Sequence, residues 1–204
     1  MSATPQPKIT PEQYLEMDRA AEFRREYFNG FVYAMSGGTH VHALLIASLT
    51  ATLYAALRKR KCSITASDMR LRVSTGGLYT YPDVMVLCGH AHYAVGGTDT
   101  LLNPTVIVEV LSPSTEACDR GFKFHQYQLI ESLEEYALVS QKEPRVEIFR
   151  RQSSGDWLLS DAQGLDAKCR FLSVDCEIEL AAIYESITFD PAESAPPERD
   201  SSPR

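Results

Sequence analysis

The chain has 204 residues and a formal net charge of −7, with 44% hydrophobic and 23% charged residues, which is ordinary for one globular domain. No uninterrupted apolar run approaches the roughly 20 residues of a membrane span, so we expect no membrane partner. The N-terminus lacks the basic start and apolar stretch of a signal peptide, so we expect a cytoplasmic protein.

Charge and cysteine content restrict the partners only weakly. Phosphate binding usually leaves a basic footprint, so an acidic chain argues mildly against a nucleic-acid partner. Local basic segments such as Arg58-Lys59-Arg60-Lys61 weaken that argument. The cysteines are odd in number and form no Cys-x-x-Cys pair, which predicts free thiols rather than a disulfide framework or a zinc knuckle. They are Cys62, Cys88, Cys118, Cys169 and Cys176.

The N-terminal half predicts two helices and several short strands. Thr10 and Gln13 have the spacing of a capping box, which predicts a helix from the residue after Thr10. Asn29-Gly30 is a strong hairpin-turn signal. The predicted elements are a helix from residue 11, a hairpin over 27–35, a helix over 42–61, strands at 63–65 and 69–73, and a turn at 74–77.

Together with the elements of the C-terminal half, the order along the whole chain predicts a mixed α/β domain with a central mixed sheet flanked by helices. The C-terminal elements are a strand at 83–87, a polar loop at 89–103, a strand carrying Glu109, a helix over 114–133, strands at 135–139 and 145–149, and a further strand from Trp157. The residues after 189 are too rich in Pro, Ser and charge to bury a core. We therefore expect a flexible N-terminus at 1–9, one domain at 10–189 and a disordered tail at 190–204.

Two apolar strands each contain a single carboxylate. Asp83 precedes Val84-Met85-Val86-Leu87, and Glu109 lies within Val106-Ile107-Val108-Glu109-Val110. A lone buried carboxylate is costly unless it is paired, hydrogen-bonded or bound to a metal. Neighbouring strands would form a Mg²⁺ site from Asp83, Glu109 and the carbonyl of Val110, with Mn²⁺ as a substitute. The alternative is that each carboxylate caps a turn or pairs with an arginine.

Further residues are candidates to complete this site. Lys123, on the predicted helix after Glu109, can orient an attacking water and stabilise the charge that develops on phosphate. Tyr127 lies one turn further on the same face. Glu26 can be a third carboxylate, or a surface ion-pair partner. Three residues are possible substrate contacts, although the last two could instead serve packing: His42, Tyr127 and Gln126.

Other chemistries find little support in the sequence. His40-Val41-His42 and His90-Ala91-His92 have chelate-like spacing, but no His-Glu-x-x-His helix accompanies them, so a zinc site is disfavoured. A Gly-x-Ser-x-Gly elbow is absent from the sequence, as are the glycine-rich phosphate loop and the dinucleotide fingerprint.

Six ordered stretches make the chain resemble the Uma family of restriction endonuclease-like proteins, in the PD-(D/E)XK nuclease superfamily. The likeness covers residues 10–187. The stretches are Thr10-Pro11-Glu12-Gln13-Tyr14-Leu15, Ala34-Met35-Ser36-Gly37-Gly38, Tyr81-Pro82-Asp83-Val84, Ile107-Val108-Glu109-Val110-Leu111-Ser112-Pro113-Ser114-Thr115, Asp119-Arg120-Gly121-x-Lys123-Phe124-x-x-Tyr127 and Leu133-x-Glu135-Tyr136.

The resemblance implies a restriction endonuclease-like fold and Mg²⁺-dependent cleavage of DNA. It assigns acidic site roles to Glu26, Asp83 and Glu109. The superfamily motif places a lysine two residues after the glutamate, where this chain has Leu111. The family takes this lysine from the following helix, which corresponds to Lys123. A homodimer is expected because double-strand cleavage by this fold commonly uses two subunits.

The leading hypothesis is therefore a Mg²⁺-dependent DNA endonuclease. The main alternative is a catalytically inactive nuclease-fold module for binding or assembly, which the acidic net charge favours. A third reading is a metal-dependent hydrolase of small phosphoesters, for which a closed pocket rather than a wide basic groove would be expected.

Overall fold

The computed structural model describes residues 8–35, 37–73 and 77–189. Most of the predicted flexible N-terminus, most of the predicted turn at 74–77 and the whole predicted tail lie outside these residues.

The two N-terminal helices begin at the predicted capping residues or close to them. Helix α1 spans Pro11–Arg19, and Thr10 and Gln13 form the reciprocal capping box. Helix α2 spans His40–Leu57, starting and ending somewhat before the predicted bounds. The Thr39 hydroxyl accepts a hydrogen bond from the backbone N–H of His42, which fixes the first turn of α2.

Helix α2 is more apolar than expected from the sequence analysis. It has 18 residues with a mean hydropathy of 1.5, which is long and apolar enough to cross a membrane by length and composition alone. Core helices pass the same test, and one stripe of α2 is fully buried in the domain, made up of Leu45, Leu49, Leu53 and Leu57. The expectation that no apolar segment approaches the length of a membrane span is therefore wrong for α2.

A six-stranded mixed sheet organises the domain. Its spatial order is β11 (Trp157–Gln163), β10 (Arg145–Arg151), β9 (Glu135–Val139), β8 (Val106–Val110), β6 (Val84–Cys88) and β3 (Cys62–Ala66). The β8–β9 pair is parallel and the other pairs are antiparallel.

A second sheet and a C-terminal hairpin pack beside it. The five-stranded sheet has the order β2 (Phe31–Ala34), β1 (Arg25–Phe28), β5 (Tyr79–Thr80), β4 (Arg70–Arg72) and β7 (Thr100–Leu101). The hairpin pairs β12 (Lys168–Phe171) with β13 (Cys176–Glu179), and a short helix α5 (Leu180–Ile183) follows. The predicted mixed α/β fold is confirmed.

The central strands β6, β8 and β9 are buried on both faces of the six-stranded sheet, which explains their nearly continuous apolar sequences. Along β8, Val106, Val108 and Val110 pack with the leucines of α2 and the C-terminal hairpin. Ile107 lies on the opposite face, in a second cluster with Tyr127 and other side chains. Glu109 therefore belongs by alternation to the face that Tyr127 covers.

Two local predictions need correction. The helix predicted over 114–133 is instead a short α-helical turn α3 (Glu116–Cys118), a π-helical segment (Asp119–Lys123) and a helix α4 (Phe124–Tyr127). The loop predicted at 89–103 contains strand β7, because its end pairs with β4.

The prediction of five free thiols is also wrong for one pair. Cys62 and Cys88 form a disulfide. The antiparallel register of β3 and β6 sets these two residues directly opposite each other, and that pairing is not visible from cysteine spacing. Cys118, Cys169 and Cys176 are free, as predicted.

Candidate active site

Antiparallel pairing of β6 with β8 brings the two predicted carboxylates together. Val84 lies opposite Val108, so Asp83 and Glu109 meet at the adjoining position. The backbone N–H of Asp83 donates to Glu109 Oε2 at 3.2 Å, and the N–H of Val110 donates to Asp83 Oδ2 at 2.8 Å. Each carboxylate is thus held by the backbone of the other carboxylate's strand.

Glu109 is the most deeply buried member of the site, with 3% of its surface exposed. Tyr127 donates its hydroxyl to Glu109 Oε1 at 2.8 Å. The pKa of Glu109 is raised to about 8, mainly by burial, with Asp83 and Asp119 adding to the rise and the charge of Lys123 opposing it. The positive charge of Lys123 therefore does not fully offset the effects of burial and of the neighbouring carboxylates on Glu109.

Lys123 extends from the π-helical segment into the same site. Its ammonium lies 3.3 Å from Glu109 Oε1, 3.2 Å from Asp119 Oδ1 and 3.5 Å from Glu26 Oε1. Burial alone would lower the pKa of Lys123, but these carboxylates outweigh it and hold the pKa well above its usual range. The ammonium consequently stays protonated.

Asp119 is a site residue to which sequence reasoning gave no role. It is 2% exposed, and burial is the main cause of its raised pKa. Its Oδ1 contacts the Lys123 ammonium but makes no hydrogen bond, so the ammonium gives it charge compensation only. The signal was present in the sequence, since Asp119 and Lys123 are four residues apart on a predicted helix.

Glu26 reaches the site from the second sheet. It lies on β1 and accepts a short hydrogen bond from the Thr80 hydroxyl of the neighbouring strand β5. Its side chain is 22% exposed and faces the Lys123 ammonium. The structure therefore brings together all the predicted charged residues: Glu26, Asp83, Glu109 and Lys123.

The predicted substrate contacts fall into different environments. His42 lines the site, with Nε2 lying 3.2 Å from Asp83 Oδ2. The hydrogen bond to Asp83 raises the pKa of His42, and contact with the Val110 backbone adds to that effect. Tyr127 is fully buried beneath Glu109, so it supports the carboxylate rather than reaching a ligand. Gln126 is not among the described residues that line the cavity.

These side chains surround a cavity of about 420 Å³. An adjoining cavity of about 680 Å³ shares Gly38, His42, Tyr81 and Asp83 with it, so the two form one cleft. Among the described lining residues, the first cavity carries four carboxylates against the single ammonium of Lys123. The carboxylates are Glu26, Asp83, Glu109 and Asp119.

The donor set is suited to a hard divalent cation. The carboxylates of Asp83 and Glu109 and the carbonyl of Val110 would supply oxygen ligands, and a cation would offset the excess negative charge of the cavity. Within residues 8–35, 37–73 and 77–189, no three His, Cys, Asp or Glu side chains form a ligand group. A site built here would therefore combine fewer side chains with a carbonyl and water, as Mg²⁺ sites commonly do.

Comparison with known proteins identifies the family. The model of the Uma2 family, described as a putative restriction endonuclease, matches residues 11–181. The uncharacterized protein slr1290 of Synechocystis is 34% identical over 187 residues, covering 92% of this chain and 97% of the relative. A second Synechocystis protein, sll1609, is 32% identical over 163 residues, covering 80% and 92%.

A solved structure supports the same assignment at the level of fold. It is a putative nuclease belonging to DUF820 from Anabaena variabilis, with a TM-score of 0.70 and 16% identity, covering 87% of this chain and 98% of that one. At this identity the similarity concerns the fold alone. On the strength of the family match, the chain belongs to the Uma2 family of restriction endonuclease-like proteins.

Proposed function

We propose that the protein is a Mg²⁺-dependent endonuclease that hydrolyses DNA phosphodiester bonds. The observation that carries the proposal is the convergence of Asp83, Glu109, the Val110 backbone and Lys123 on one cleft. The family match supports a nuclease in general terms. Asp83, Glu109 and the Val110 carbonyl would hold the cation, with Glu26 as an auxiliary carboxylate.

Lys123 has the properties of a charge stabiliser rather than of a general base. Three carboxylates hold its pKa well above the usual range, so it keeps its proton. Its ammonium can donate a hydrogen bond to the attacking water and to a phosphoryl oxygen, where negative charge develops. A bound Mg²⁺ would supply Lewis-acid polarisation of the phosphate and activation of the water.

The remaining residues orient this machinery. Tyr127 fixes Glu109 by a hydrogen bond at 2.8 Å, and the Val110 N–H fixes Asp83 at 2.8 Å. These contacts leave the carboxylates little freedom to rotate, which favours a preorganised site.

The contacts and the size of the cavity also fit two alternative functions. A catalytically inactive module would keep the ion pairs of Lys123 with Glu26, Glu109 and Asp119 for stability alone. A cavity of about 420 Å³ is also within the size range of small-molecule pockets, which fits a phosphoesterase.

Asp83→Asn is the most informative variant. Asparagine keeps an oxygen that can accept from the Val110 N–H but removes the charge that binds a cation. Calorimetry should show Mg²⁺ binding to the wild type and at least tenfold weaker binding to the variant. Nicking of supercoiled plasmid should be lost in parallel, whereas Asp166→Asn at an exposed position should change neither result.

Equal nicking by wild type and Asp83→Asn would refute the assignment of the site. Absence of both Mg²⁺ binding and nicking in the wild type would support the inactive module. Turnover of bis(p-nitrophenyl) phosphate without nicking would instead support the small-phosphoester reading. Linearisation of plasmid by a species that sediments as a dimer would support the proposed homodimer.

A further inference from the structure

We propose that His42 is itself a cation ligand, through Nε2, and that this mixed nitrogen and oxygen site binds Mn²⁺ in preference to Mg²⁺. The inference rests on the cation site of the proposed function and specifies its ligands and its metal preference.

The imidazole of His42 is held in a defined position at the rim of the cleft. Its backbone N–H is held by the Thr39 hydroxyl in the first turn of α2. A Cβ placed on Gly38 would lie only 2.7 Å from Nδ1, so Gly38 packs closely against this edge of the ring. The ring therefore presents Nε2, not Nδ1, to the carboxylates.

The imidazole lies against both residues that supply the proposed oxygen ligands. Its Nε2 is 3.2 Å from Asp83 Oδ2, and the ring also contacts the backbone of Val110. Adjacent ligands of a six-coordinate ion with bonds of about 2.1 Å are separated by about 3 Å. The spacing of Nε2 and Oδ2 is thus the spacing of two neighbouring ligands on one cation.

Glu109 is less available for direct coordination than Asp83. Its Oε1 accepts from Tyr127 and contacts Lys123, and its Oε2 accepts from the Asp83 N–H. The absence of a three-side-chain ligand group among the described residues agrees with this. His42 Nε2 therefore replaces Glu109 as a direct ligand, so that the cation is held by Asp83 Oδ2, His42 Nε2 and the Val110 carbonyl, with Glu109 beside them and water completing the shell.

A second observation indicates that the cavity is short of positive charge. Asp119 lines it, is 2% exposed and has one carboxylate oxygen without a hydrogen bond. This buried oxygen is in contact with the Lys123 ammonium, which is shared with two other carboxylates. A divalent cation next to Asp83 would lower the electrostatic cost of all four carboxylates together.

The nature of the ligands then determines the metal. Imidazole nitrogen binds first-row transition ions more tightly than it binds Mg²⁺, which prefers oxygen ligands and retained waters. A site made only of carboxylate and carbonyl oxygens would discriminate less between Mn²⁺ and Mg²⁺. If Nε2 coordinates, Mn²⁺ affinity should depend on His42 much more strongly than Mg²⁺ affinity does.

The competing interpretation is that His42 only donates a hydrogen bond to Asp83. In that case the imidazole competes with the cation for Oδ2, and its removal should leave metal affinity unchanged or improve it. The two interpretations therefore predict opposite effects of one substitution.

The test uses the full chain with Mn²⁺ or Mg²⁺ alone, in wild type, His42→Gln and the matched control His40→Gln, which changes an exposed histidine of the same helix. Calorimetry should show tighter binding of Mn²⁺ than of Mg²⁺ to the wild type. The His42→Gln variant should lose at least tenfold in Mn²⁺ affinity and less than about threefold in Mg²⁺ affinity. The control should match the wild type.

A spectroscopic measurement makes the ligand assignment direct. Electron spin-echo modulation of bound Mn²⁺ should show a coordinated imidazole nitrogen in wild type and His40→Gln, and none in His42→Gln. Unchanged or improved Mn²⁺ affinity in His42→Gln, or no nitrogen coupling in the wild type, overturns the role of His42 while leaving Mg²⁺-dependent cleavage intact. Failure of the wild type to bind either ion overturns both proposals.

Discussion

The proposed catalytic role of Lys123 is hard to separate by mutation from its role in the ion pairs of the site. The Lys123 ammonium contacts three carboxylates, and two of these, Glu109 and Asp119, are buried. Removing one member of a buried ion cluster leaves uncompensated charge, which is far more costly than the net worth of the pairs. Lost cleavage in a Lys123 variant would thus not by itself identify a catalytic lysine, and the Asp83→Asn comparison is cleaner.

The replacement Lys123→Met should lower the free energy of unfolding by about 3–5 kcal/mol at pH 8. The loss should shrink at pH 6, because burial already raises the pKa of Glu109 and of Asp119 and protonation neutralises them. Urea unfolding of both proteins at the two pH values measures this. Lys142→Met, at an exposed position, is the control, and a loss for Lys123→Met that is independent of pH would contradict the electrostatic explanation.

The π-helical segment is the element that assembles the site. It separates two short α-helical pieces and directs Lys123 to Glu109 of β8, with Asp119 in contact with the same ammonium. Single π turns inside helices are frequent at functional sites. Here the segment brings the Lys123 ammonium to within 3.3 Å of Glu109 Oε1, although the two residues belong to different elements.

Two glycines in different elements should respond oppositely to alanine. Gly121 lies in the π-helical segment, and a Cβ added there would meet nothing within 4 Å. Gly121→Ala should therefore raise the free energy of unfolding by about 0.4–1 kcal/mol, by restricting the unfolded chain. Gly30 has φ +96° in the β1–β2 turn, and its added Cβ would approach Lys8 Cβ at 2.8 Å.

Gly30→Ala should accordingly destabilise the protein by more than 1 kcal/mol. Thermal and urea unfolding of the two variants beside the wild type measure both effects. A stabilised Gly30→Ala protein would show that the turn can change type without cost. A destabilised Gly121→Ala protein would show that the π-helical segment needs glycine for a reason other than space.

At the scale of the whole molecule, local signals predicted more than long-range ones. The Thr10 capping box, the Asn29-Gly30 turn and the apolar strands around Asp83 and Glu109 depend on nearby residues, and all of them are present. The Cys62–Cys88 pair and the approach of Glu26 from another sheet depend on strand register. Strand register is determined by how the whole core packs, so it cannot be predicted from any single segment of the sequence.

One buried arginine connects three distant parts of the fold. Arg70 on β4 is 4% exposed and bonds Asp18 at the end of α1, and Asp99 just before β7. Asp99 also receives two hydrogen bonds from Arg19. The Arg19 contact is the main reason that the pKa of Asp99 lies well below its usual range, and Arg70 adds to it. The stability of the domain should therefore depend on pH in the acid range through this cluster.

A carboxyl with a depressed pKa stabilises the folded state above its unfolded pKa of about 3.9, and this stabilisation is lost as pH falls through the lower folded value. Asp99→Asn should therefore reduce the free energy of unfolding at pH 6 by only about 1 kcal/mol, because the Asp99 side chain is 41% exposed and solvent screens it. The difference from wild type should narrow as pH falls below about 4. Urea unfolding from pH 6 to pH 3 measures it, with Asp166→Asn as the exposed control. A difference that stays the same down to pH 3 would mean that Asp99 stabilises the fold by packing rather than by charge.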